Sequence, residues 1–112
     1  MFLPQFILSI VFLLAGFLMM KFPPKKINPL YGYRTARSMK STEAWNYAQR
    51  VSARRMLLCG LAGMLIFIII SVLKFDEGIH GISMIATLVI TIFYTFYSVE
   101  RDLKKKFPDV RP

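Results

Sequence analysis

Three apolar stretches, Phe2–Met20, Met56–Leu73 and Ile82–Val99, each run 18 or 19 residues without an Asp, Glu, Lys, Arg or His. As helices rising about 1.5 Å per residue, they are roughly 27–28 Å long, close to a hydrocarbon core of about 30 Å. A soluble bundle would need polar residues at helical spacing, and Leu65–Ile70 has none. Lipid leaves no water for unpaired backbone groups, so spans are helices or closed barrels. The lack of strict alternation selects helices. The expected fold is all-α: a single membrane domain over residues 1–112, built as a bundle of three transmembrane helices.

Charge orients that bundle. Between Lys21 and Arg55 lie nine Lys or Arg and one acid, Glu43. The 74–81 connection sets Lys74 against Asp76 and Glu77. The 100–112 tail sets Arg101, Lys104, Lys105, Lys106 and Arg111 against Glu100, Asp102 and Asp109. The positive-inside tendency then places the 21–55 loop and the C-terminus in the cytoplasm, and the N-terminus and the 74–81 loop outside. The expected location is the plasma membrane, as a multi-pass protein. The net charge of +9 does not point to nucleic acid, because the cations flank spans and no groove- or base-reading motif accompanies them. Anionic headgroups of the inner leaflet are the default partner for cations at that depth. No cation precedes the first stretch and no small-x-small site follows it, so it reads as a retained span. The single cysteine, Cys59, sits within the second stretch and reads as a small buried hydrophobe.

The 21–55 loop holds most of the remaining chemistry. Pro23-Pro24 stops the first helix, and Asn28-Pro29 and Gly32 signal turns. Arg34 offers a planar five-donor fork suited to carboxylate or phosphate, and Thr35 can bond nearby backbone. Ser41 or Thr42 is an N-cap candidate, with Glu43 in the first turn of a short interfacial helix before the second span. Trp45, with Tyr31, Tyr33 and Tyr47, fits an interfacial aromatic belt, and its face suits a guanidinium. Arg50, Arg54 and Arg55 are placed to snorkel to headgroups.

The order Asn-x-x-x-Gly-x-Arg-Thr, then a Ser/Thr link, then Glu-x-Trp-x-x-Ala before an apolar span resembles the signature of the SdpI family. The matching positions are Asn28, Gly32, Arg34, Thr35, Ser41, Glu43 and Trp45. The family comprises small integral membrane proteins related to the immunity protein against the sporulation-delaying toxin peptide. The resemblance implies a non-enzymatic immunity or signalling protein giving resistance to a secreted toxic peptide. It implies that these seven residues form a cytoplasmic recognition loop, and that a cytoplasmic repressor is a partner.

Elsewhere the chemistry is thin. Asp76, Glu77 and His80 supply at best a partial metal-ligand set and read as a solvated outer loop. No nucleophile–base–orienter arrangement exists around the lone His80, so neither enzyme activity nor a cofactor is expected. Ala15-Gly16, Gly60 and Gly63 mark close helix contacts, and Ser83, Thr87, Thr91 and Thr95 form a hydroxyl stripe. Self-association into a homo-oligomer is expected from such faces. Two other functions fit the chain: a small oligomeric transporter, and an accessory subunit docking a larger membrane complex through the hydroxyl stripe.

Overall fold

A computed structural model describes residues 3–108 as three helices, α1 (Leu3–Lys21), α2 (Thr42–Val72) and α3 (Glu77–Lys106). Phe2, Asp109 and Arg111 lie outside the described residues. All three helices are long and apolar enough to cross a membrane, and the described residues contain no strand. The chain is elongated, 50 × 24 × 19 Å. Helix α2 packs against both neighbours, whereas α1 and α3 barely touch.

Each helix end has a local cause. The last bond of α1 runs from Phe22 N to Leu18 O (2.7 Å), immediately before Pro23-Pro24. Ser41, in extended backbone, accepts from Ala44 N at 3.0 Å and starts α2. From there α2 is unbroken for 31 residues, so the expected interfacial helix is the first part of the second spanning helix. It ends with Lys74 at φ 58, where Lys74 N bonds Ser71 O (3.2 Å) and Phe75 N bonds Ile70 O (3.2 Å). That pair of bonds is a Schellman closure, with lysine in the left-handed position that usually goes to glycine.

Helix α3 begins earlier than its apolar stretch suggests. Asp76 caps it by accepting from Ile79 N at 3.0 Å, so the connection shrinks to residues 73–76. His80 is therefore not in a solvated loop. It is helical, 5% exposed, and its ring lies 5.9 Å from that of Phe67. At the other end, α3 continues to Lys106, because Val99 and Leu103 repeat at helical spacing and bury themselves against α2.

Helices α1 and α2 approach at glycine. A Cβ on Gly16 would lie 2.9 Å from the Ala53 carbonyl oxygen, and one on Gly60 would lie 3.0 Å from Leu13 N. Near its start, α1 also supplies a polar tie. Gln5, fully buried, donates from Nε2 to Gly63 O and to Thr87 Oγ1, both at 3.2 Å, and so links all three helices. The hydroxyl stripe turns inward. Thr87, Thr91 and Thr95 are buried within the chain, which removes the surface an accessory-subunit role would need from them.

Candidate functional site

The end of the bundle holding the 22–41 loop is a small folded unit. Its core is Tyr33, Ala44, Ala48, Val51, Val99 and Leu103, with Tyr47 and Phe107 packed against it. Three elements meet there: the loop, the start of α2 and the end of α3. Apolar side chains at 44, 48 and 51 share one face of α2, which turns towards Val99 and Leu103.

The loop is fixed to this unit mainly by hydrogen bonds. Trp45 is fully buried and donates from Nε1 to Pro24 O at 2.6 Å. One turn later, Gln49 pairs with Tyr33 much as a neighbouring strand would. Its Oε1 accepts from Tyr33 N (2.6 Å), and its Nε2 donates to Tyr33 O (2.8 Å). Gly32 makes this closeness feasible. Its φ is +108°, and a Cβ there would lie 2.6 Å from Gln49 Oε1 and 2.7 Å from Pro24 Cγ. Asn28 shapes the preceding turn: its Oδ1 accepts from Leu30 N (2.9 Å) and Tyr31 N (2.6 Å). Tyr31 closes the turn by donating its hydroxyl to Phe22 O at 2.9 Å.

Beyond Gly32 the loop is latched to α3. The Tyr33 hydroxyl and the Thr35 hydroxyl both donate to Glu100 Oε2, at 3.2 and 3.1 Å. Ser38, fully buried, accepts from Thr35 N (2.8 Å) and donates towards Thr35 O (2.9 Å), holding the next turn. Burial and the adjacent Glu100 carboxylate both hold the Tyr33 phenol protonated well above its ordinary value of 10.0. A second polar tie joins α2 to α3, where Arg55 reaches Asp102 Oδ2 (2.9 Å) and Ser98 Oγ (3.2 Å). Arg55 thus pairs its charge with α3.

The seven residues singled out in the sequence divide into two kinds. Asn28, Gly32, Thr35, Ser41 and Trp45 build the loop and seat it. Trp45 belongs to no aromatic belt and offers no face to a guanidinium, because it is sealed beneath the loop. Arg34 and Glu43 are exposed, and no hydrogen bond or ion pair among the described residues engages Arg34. Sequence reasoning missed Gln49, Glu100, Tyr33 and Ser38. The available signal for Gln49 was its position four residues after Trp45, a polar residue on an otherwise apolar helix face. Among the described residues there is no group of three or more His, Cys, Asp or Glu able to hold a metal ion.

A bundle of three membrane-length helices with a hydrogen-bonded loop unit at one end defines a multi-pass membrane protein organised around its first connection. A family model described as the SdpI/YfhL protein family matches residues 25–98, which run from that loop through most of α3. The chain belongs to the SdpI/YfhL family. Over 54 residues it is 56% identical to "Uncharacterized protein YfhL" of Bacillus subtilis (strain 168), covering 46% of this chain and 49% of that protein. The chain thus spans about half the length of the curated relative it matches. No solved structure matches it.

Proposed function

We propose that this chain is a non-enzymatic protein of the plasma membrane that gives resistance to a secreted toxic peptide, with its 21–55 loop in the cytoplasm as the recognition element. The observation that carries this reading is how the family motif is used. Most of its residues fix the loop's shape through Trp45, Gly32 and Thr35, leaving Arg34 and Glu43 displayed at set positions. A loop serving only as a tether would not need a tryptophan indole, a glutamine and a glutamate to hold it. Exposed Lys25, Lys26 and Lys40 extend the displayed cationic surface towards a cytoplasmic repressor or the inner leaflet.

The test is survival of toxin-sensitive cells expressing the chain. Wild type should protect, Arg34→Ala should lose protection at unchanged membrane abundance, and Arg54→Ala should retain it. Killing equal to that of cells without the chain refutes the proposal.

A further inference from the structure

The weak contact between α1 and α3 leaves a groove of about 870 Å³ along the side of the bundle, floored by Ser52 and Met56 of α2. Its walls are Phe12, Ala15 and Leu18 of α1 facing Ile92 and Phe96 of α3. The volume falls within the range of about 300–1,000 Å³ usual for small-molecule sites. On α1 the groove runs from Phe12 to Phe22, ten residues or about 15 Å of helix, which is the depth of a single leaflet's hydrocarbon. It ends under the loop, at Leu30, Gly32 and Arg34.

We propose that this groove is a binding site for one phospholipid of the loop-side leaflet, its acyl chain lying between α1 and α3 and its anionic phosphate headgroup on Arg34. Charge complementarity selects that occupant. The groove is mostly apolar, with the hydroxyl residues Ser52, Thr91 and Thr95 among its lining, and carries a single cation, Arg34, at its loop end. That cation is exposed and engaged by no hydrogen bond or ion pair among the described residues. A guanidinium presents paired donors that match phosphate oxygens, and at the edge of a low-dielectric groove such a bond is stronger than in water. A second copy packed on this groove about a two-fold axis would instead bring an identical Arg34 to the same place, leaving the guanidinium facing a like charge. The loop's hydrogen bonds give the site its rigidity: Gly32, held by its closeness to Gln49 and Pro24, fixes the backbone two residues before Arg34.

The experiment uses the full chain reconstituted in vesicles of equal parts phosphatidylcholine and phosphatidylglycerol, released into mild detergent and weighed by native mass spectrometry. Wild type should retain one phosphatidylglycerol per chain in preference to phosphatidylcholine. Arg34→Gln should lower that retention about tenfold and Arg34→Lys should restore most of it. Arg54→Gln, an exposed cation off the groove, should leave it unchanged. Ala15→Trp, which fills the groove, should abolish retention of either lipid while circular dichroism reports an intact bundle. Equal retention of the two lipids, indifference to Arg34→Gln, or release as a lipid-free dimer would each overturn the proposal. Because the readout is lipid mass and not cell survival, its failure and that of the resistance proposal can be told apart.

Discussion

Replacing Gln49 by leucine tests whether the loop is held by its hydrogen bonds. Gln49 is 1% exposed and Tyr33 is 7% exposed, so removing the amide strands the Tyr33 N–H away from water and leaves the Tyr33 C=O with the Ser38 hydroxyl alone, at 3.2 Å. An unsatisfied buried group costs about 1–3 kcal/mol, so one stranded N–H and one carbonyl that loses the shorter of its two bonds cost about 2 kcal/mol. Leucine is of similar size and brings no new polar group, so the core of Ala44, Ala48 and Val51 should hold. The loss then falls on local opening of the loop, not on the bundle. Trypsin reads it directly, since Arg34, Arg37 and Lys40 lie within the latched segment. When opening and closing are fast relative to cleavage, the rate follows the open population, and about 2 kcal/mol corresponds to roughly thirtyfold faster nicking after Arg34. A leucine variant nicked within about twofold of wild type would refute the reasoning.

Three further outcomes follow from the same contacts. The Tyr33 phenol is held protonated, so above pH 10.0 the unfolded chain ionises there while the folded one does not; loop stability is full below that pH and falls as pH rises beyond it. In a phenolate absorbance titration of the five tyrosines, Tyr33→Phe should remove the step at highest pH. Gly16→Ala sets a methyl 2.9 Å from a backbone carbonyl and should destabilise the α1–α2 contact by about 1–3 kcal/mol, read as a lower thermal midpoint in detergent. Lys74→Gly relieves a left-handed lysine and should raise that midpoint, by an amount equivalent to up to about 1 kcal/mol.

The spans were legible because lipid imposes a length and excludes charge, and both can be counted along the chain. Ser41 was legible for a similar reason: a cap acts on a residue three positions away. The loop's seat was not. Tyr33 meets Gln49 16 residues on, and Thr35 meets Glu100 65 residues on; no local pattern marks either pair. Reading Trp45 as interfacial failed for the same cause, since its burial is created by Pro24 folding back across it. The 100–106 segment looked like a charged tail because its apolar positions, Val99 and Leu103, are sparse among ionised neighbours. Gln5 sat where a first-turn polar residue is unremarkable, and only the docking of three helices gives it partners.

Helix α3 runs without interruption from Asp76 at one end of the molecule to the residues that latch the loop at the other. Its 30 residues form a rod of about 45 Å. Pivoting such a rod by roughly 10° about its centre carries Glu100, about 13 Å from that centre, about 2 Å sideways, enough to part it from a hydroxyl held at 3.1 Å. Any tilt of this helix would thus be felt at Thr35.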